Sequence, residues 1–189
     1  MDIFDAELTE HERVVQAMRN GGSEDFLAVC NACADAIATG QKILFFGNGG
    51  SAADAQHIVA ELVVRLKKNR KALPAIACTT NTSTMTAMGN DYGFDGIFAR
   101  EVEALGHPKD IAVGISTSGT SPNVIRGIEA ANAIGLITVA LTGNRGGQLV
   151  ELADHAVIVP SENTARIQEM HILLGHILCS YIEAKLGLV

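Results

Sequence analysis

Ile43-Leu44-Phe45-Phe46-Gly47-Asn48-Gly49-Gly50-Ser51 is a short apolar run that breaks into glycine and then opens a helix-forming segment. Such a run reads as a buried strand, and the glycines after it mark a tight strand-to-helix turn. Runs of the same kind recur at Ala75 to Cys78, Ile111 to Ile115, Ile137 to Leu141 and Ala156 to Val159. Helical segments are expected between them at Ser51 to Leu66, Phe94 to Leu105, Pro122 to Ile134 and Gly147 to Leu152. Strands alternating with helices predict an α/β fold: a three-layer αβα sandwich around a doubly wound, five-stranded parallel sheet. Extra helices are expected at both ends. One runs to about Asn20, the next is capped by Ser23 and ended by Gly40, and a long last one covers about Thr164 to Leu186.

The chain has 189 residues, of which 48% are hydrophobic and only 4% aromatic, so the core must be built from Ala, Val, Ile and Leu. With no internal repeat, low-complexity tract or linker, one domain over 1–189 is expected. A net charge of −7 excludes a general nucleic-acid surface, so any anion must be bound locally. No stretch is long and apolar enough to span a membrane, and the acidic start lacks the apolar run of a signal peptide. Four cysteines without a secretory signal point to a reducing compartment, the cytoplasm. Cys30 and Cys33 form a C-x-x-C inside a helical pattern and read as packing residues, as do Cys78 and Cys179. Arg65 to Lys71 carries five basic residues in seven. It reads as a solvated helix end, with contact to an anionic substrate as the alternative.

Two loops stand out as phosphate cradles. In Gly47 to Ser51, backbone N–H groups and a helix start converge where a strand ends, and Asn48 and Ser51 can add side-chain hydrogen bonds. Ser116-Thr117-Ser118-Gly119-Thr120-Ser121 follows the third strand with five hydroxyls in six residues, and Pro122 suits the first position of the next helix. Gly47, Gly49 and Ala52 also fit G-x-G-x-x-A, the signature of a dinucleotide site. Such a site wants an acidic residue near the end of the second strand, where this chain has Cys78-Thr79-Thr80-Asn81-Thr82, so no nucleotide cofactor is expected.

The candidates for chemistry lie on two helices. His57 and Glu61, four apart, are about 40° apart around the axis and share a face. Gln168, His171 and His176 lie on the long last helix, with His171 read as a buried core residue. His11, His107 and His155 read as surface or loop residues. Phosphate loops together with an acid and an imidazole suggest proton transfer beside a carbonyl, the reaction that interconverts a ketose and an aldose. Glu61 is the expected base and His176 the expected acid.

Taken together, Gly47 to Ser51 with His57 and Glu61, Gly89-Asn90-Asp91, Gly114 to Ser121 and Arg166 to His176 closely resemble the phosphoheptose isomerases. These belong to the sugar isomerase (SIS) family, whose domains are flavodoxin-like. The resemblance spans nearly the whole chain and implies conversion of D-sedoheptulose 7-phosphate to D-glycero-D-manno-heptose 7-phosphate, for the heptose of bacterial surface polysaccharide. It assigns phosphate contacts to Ser51, Ser116, Thr117, Ser118 and Ser121. Sugar contacts fall to Asn48, Gly49, Gly50, Asn90 and Asp91, with Glu61 and Gln168 also at the substrate. Zinc is implied as well, on His57, Glu61, Gln168 and His176. Gln168 and His176 are about 12 Å apart along one helix, so joint ligation needs extended side chains or different subunits. The resemblance further implies a homotetramer with active sites at subunit contacts. Asn90 and Asp91 otherwise read as a polar turn.

Two rival readings follow from the same residues. One is a non-catalytic SIS protein that binds the replication initiator, a branch that Leu73 to Ala77 and Arg166 to His171 also resemble but that lacks the acid and histidine found here as Glu61 and His176. The other is an isomerase of a different phosphosugar, since nothing in the sequence measures the length of the sugar chain.

Overall fold

The computed structural model describes residues 2–189. Five parallel strands, β1 (Ile43–Gly47), β2 (Ala75–Ala77), β3 (Ile111–Ser116), β4 (Ile137–Gly143) and β5 (His155–Val159), form one sheet in the order β2-β1-β3-β4-β5. The helices are α1 (Ile3–Gly21), α2 (Ser23–Ala38), α3 (Gly50–Val63), α4 (Thr82–Asp91), α5 (Ile97–Leu105), α6 (Pro122–Ala133), α7 (Leu149–Leu152) and α8 (Thr164–Lys185). The α/β sandwich expected from the alternation is the fold observed.

Alternate strand residues feed two separate cores, as the pleat requires. Ile43, Phe45, Ile111, Val113, Ile115, Val139, Leu141, Val157 and Val159 pack under α1, α2, α3 and α8. Leu44, Phe46, Ala112 and Ala140 pack on the other face, with Phe98 and Val102 of α5, Val124, Ile125 and Ile128 of α6 and Leu149 of α7. Both faces of β1 and β3 are buried, which is why these strands read as continuous apolar runs rather than as an alternation.

One helix escaped the sequence reading. Thr82–Asp91 is helical, capped at Asn81, whose side chain accepts from the Thr84 N–H at 3.1 Å. None of its residues is fully buried, and its apolar stripe is reduced to Met85 and Met88, which pack on the core, so little betrays it. The helix expected over Phe94 to Leu105 is a 3₁₀ turn, Phe94–Gly96, followed by α5. That expected from Gly147 shrinks to the single turn of α7, because Gly146 and Gly147 both take positive φ. Ser23 begins α2 but makes no side-chain cap bond. His155 is the first residue of β5 rather than a loop residue. His11 is not a free surface group: its Nδ1 lies 2.8 Å from Glu169 of α8.

The basic segment needs the largest correction. The helix ahead of it stops at Val63 rather than Leu66, and Arg70 is not solvated. Its side chain is 1% exposed and pairs with Glu183 of α8, itself 3% exposed. The remaining cations of that segment, Arg65, Lys67, Lys68 and Lys71, belong to exposed residues.

Candidate active site

The strand order reverses between β1 and β3: β2 lies to one side of β1, and β3, β4 and β5 to the other. Ligands of open α/β sheets bind outside the carboxyl ends of the strands at such a switch point. The two candidate phosphate loops follow β1 and β3 and are therefore neighbours.

Loop one turns at Gly49, whose φ of +56° suits glycine, and α3 starts at Gly50. Gly47 must also be glycine, since a Cβ there would lie 2.7 Å from the Ile115 carbonyl oxygen. In loop two, Gly119 has a φ of +67° and packs so closely on the Gly146 carbonyl that a Cβ would come within 1.8 Å of it. The hydroxyls are organised before any ligand arrives. Ser116 Oγ lies 3.0 Å from Ser121 Oγ and accepts from the Gly119 N–H at 3.2 Å, while Ser118 Oγ accepts from the Thr120 N–H at 3.2 Å. The loops are sewn together by a reciprocal pair of amide hydrogen bonds, both 2.8 Å, between Asn48 and Asn123. Asn123 is 2% exposed, and sequence reading missed it; a buried amide directly after Pro122 is visible only once its partner is known.

A second cluster forms where α3 meets α8. These helices run side by side in the same direction, because Gln168 packs on Gly50, Gly175 on Ile58, and Glu183 on Arg70 just past the end of α3. His57 Nε2 lies 3.3 Å from Glu61 Oε1 and 3.3 Å from His176 Nε2. One donor atom from each of the three lies within 4.8 Å of the others. Zinc bound to imidazole nitrogen or carboxylate oxygen at about 2.0–2.2 Å in a tetrahedron sets its donors about 3.3–3.6 Å apart, so the two 3.3 Å separations about His57 fit a metal. Gln168 does not join it. Its amide sits against Gly50, seven residues of helix before His57, about 10 Å along the axis. Asn90 and Asp91 are exposed at the end of α4, where Asn90 donates to Asp91 at 2.7 Å. Among the described residues no side-chain hydrogen bond ties them to either loop.

The chain matches the family model described as SIS domain over residues 8–143. It is 53% identical to a phosphoheptose isomerase of Paramagnetospirillum magneticum, covering 96% of this chain and 94% of that one. A phosphoheptose isomerase of Aquifex aeolicus is 56% identical over 85% of this chain and 84% of its own. The chain belongs to the SIS domain family, in its phosphoheptose isomerase branch. Solved structures agree: the phosphoheptose isomerase of Neisseria gonorrhoeae superposes with a TM-score of 0.90 at 42% identity, over 96% of this chain and 97% of that one. That of Francisella tularensis gives 0.94 at 36% identity, over 97% of each.

Within this SIS domain, two groups of residues read as packing are packing. All four cysteines are free and buried, and burial pushes the thiols of Cys30, Cys78 and Cys179 up to about 12. Such thiols are inert at neutral pH. His171 is fully buried, with Nε2 3.1 Å from the Thr142 carbonyl and Nδ1 without a partner. Burial pushes its imidazole down to about 4, overriding the opposing effect of the Thr142 hydrogen bond. Asp54, one turn before His57 on α3, has a buried Oδ2 without a partner, and burial raises its carboxyl although the nearby His57 opposes the shift.

A histidine whose folded value lies below its unfolded one costs stability as pH falls. The unfolded chain takes up a proton near pH 6.5, whereas the native one resists until about 4. Between those limits His171 should lower unfolding free energy by up to about 1.4 kcal/mol per pH unit. Urea denaturation of wild type and His171→Gln at pH 7.5, 6 and 5 checks this: the variant, less stable at pH 7.5, should show the shallower decline.

Proposed function

We propose that this protein, working as one domain over its 189 residues, is an aldose–ketose isomerase. It interconverts D-sedoheptulose 7-phosphate and D-glycero-D-manno-heptose 7-phosphate for heptose and surface polysaccharide synthesis. The observation that carries this reading is the convergence of Glu61 and His176, with His57 between them, beside a helix whose start forms one of two phosphate-type loops. The names of the relatives at about half identity support the same reaction, and the presence of Glu61 and His176 weighs against a binding-only relative.

Ser51, Ser116, Thr117, Ser118 and Ser121 would hold the phosphate without a lysine, through hydroxyls, backbone N–H groups and two helix starts. Asn48, Gly49, Gly50, Asn90, Asp91 and Gln168 would face the sugar. Ser51 and Glu61 are ten residues apart, about 15 Å of helix rise, and a glutamate on a helix leans back toward the N-terminus. That separation favours an open-chain sugar laid along α3, phosphate at the loops and C1–C2 toward Glu61, which suits seven carbons better than six. Glu61 takes the C1 proton of the ketose while His176, as general acid, donates a proton to O2, giving the 1,2-enediol. Glu61 then returns its proton to C2 as His176 accepts the proton from O1, leaving the aldehyde. Both groups end as they began.

His57, Glu61 and His176 would be the protein ligands of a zinc ion, and Gln168 would complete the set only from another subunit or after movement. When bound, zinc polarises the substrate's carbonyl or hydroxyl oxygens. A carboxylate committed to the ion is a poorer base, so a structural or substrate-positioning role suits it better. Self-association is supported by exposed Ile3, Phe4 and Leu8 of α1 and Ile177 of α8, and by an apolar cleft of about 360 Å³ between α1, α2 and α8. A homotetramer in the cytoplasm is the assembly and location proposed. No described helix is long and apolar enough to cross a membrane.

Purified protein should convert sedoheptulose 7-phosphate and leave hexose 6-phosphates essentially untouched. Glu61→Gln should lower kcat by about 10³-fold or more and His176→Ala by about 10²–10⁴-fold, with circular dichroism unchanged. Wild-type turnover by Glu61→Gln would remove the base. Elemental analysis should find about one zinc per chain, lost in His57→Ala, and chelation should reduce activity in step with metal content. Full activity in metal-free protein ends the zinc reading.

A further inference from the structure

Arg70 lies outside both loops and outside the trio, yet it is the most heavily bonded side chain near them. Helix α3 ends just after Glu61, and the last carbonyls of a helix have no partners within it. Arg70 folds back to supply them. Its Nη2 donates to the Glu61 carbonyl at 2.6 Å, and its Nη1 to the Leu62 carbonyl at 2.7 Å and the Val64 carbonyl at 3.4 Å. Its Nε donates to Glu183 Oε1 at 2.8 Å. Glu183 lies on α8, seven residues after His176. One guanidinium therefore grips the backbone of the helix that carries His57 and Glu61 and, through an ion pair sealed from solvent, the helix that carries His176.

We propose that Arg70, with Glu183, is a positioning pair for the proton-transfer groups: it fixes the end of α3 against α8 and so sets the separation of Glu61 and His176. The inference rests on the isomerase reading for its kinetic consequence, though not for its geometric one. Three other contacts join the helices, Gln168 on Gly50, Gly175 on Ile58 and Cys179 at the Ile58 carbonyl; all lie at or before Ile58 on α3, and His176 is the sequence neighbour of Gly175. With only those contacts left, the end of α3 beyond Ile58 would lose this tie to α8, and Glu61 lies nearly one turn along it. The cation also faces the negative end of the α3 dipole. Lysine cannot replace it, because a single ammonium cannot span two carbonyls and a carboxylate in fixed directions.

The experiment compares wild type, Arg70→Lys, Glu183→Gln and the double variant, with Val102→Ala, a core residue under α5, as a control for lost stability. A misplacement near 1 Å can cost about 10²-fold in rate. Arg70→Lys and Glu183→Gln should therefore lower kcat for sedoheptulose 7-phosphate by about 10–100-fold with KM within about threefold. The double variant should be little worse than the poorer single one. Wild-type kcat in a folded Arg70→Lys overturns the proposal, as does an equal loss of kcat in Val102→Ala at matched loss of Tm. Crystal structures of wild type and Arg70→Lys provide a readout free of activity, in which the Glu61–His176 separation should change by about 1 Å. Unchanged geometry overturns the positioning role even if the variant is slow. A wild type that turns over no phosphosugar defeats the isomerase reading alone, and the crystal comparison still decides the pair.

Discussion

The close parallel packing of α3 on α8 is the constraint from which the rest of the site follows. It is possible because Gly175 has no side chain: a Cβ there would lie 2.6 Å from two atoms of Ile58. Close packing makes the helix register discrete, since a side chain either fits the gap or is displaced by a full turn. In the register adopted, His57 and Glu61 of one helix meet His176 of the other. Cys179, next along α8, supports it by approaching the Ile58 carbonyl. Three polar side chains from two segments more than a hundred residues apart are thereby gathered at one place on the rim of this seam.

The sheet contributes in a different way. Because β1 and β3 are adjacent and diverge in their crossovers, the turns after them sit side by side with helix starts aimed outward. The field at these turns is local, supplied by backbone N–H groups and hydroxyls rather than by net charge, so the acidity of the whole protein does not oppose an anion there. The Asn48–Asn123 pair holds one turn against the other, so the cradle behaves as one body.

Much of this was legible in the sequence. The five strands differ from the expected runs by one or two residues at their ends, because short apolar runs bounded by glycine and polar residues leave no other reading, even for β2 and β5, which are only partly buried. The hydroxyl and glycine loops, and the His57–Glu61 face, follow from local spacing alone. What was not legible depends on tertiary partners. α4 has only Met85 and Met88 as an apolar stripe, too little for its periodicity to announce a helix. Arg70 looks like its neighbours Lys68 and Lys71 until Glu183 and the end of α3 are placed beside it. Gln168 and His176 share a helix, but the rise between them carries one to the start of α3 and the other to its third turn. Their rise of about 12 Å along one helix already argues against joint ligation, but which parts of α3 they meet depends on the packing of the two helices.

The central claim is that Glu61 carries a proton between C1 and C2 in the site formed by α3 and α8. Its most direct measurement is isomerisation in D2O, reading deuterium at C2 of the aldose by NMR. The account predicts deuterium at C2 in those wild-type turnovers in which the Glu61 proton exchanges with solvent before it is returned, and neither turnover nor exchange in a folded Glu61→Gln variant. Turnover or exchange at the wild-type rate without the carboxylate would contradict it.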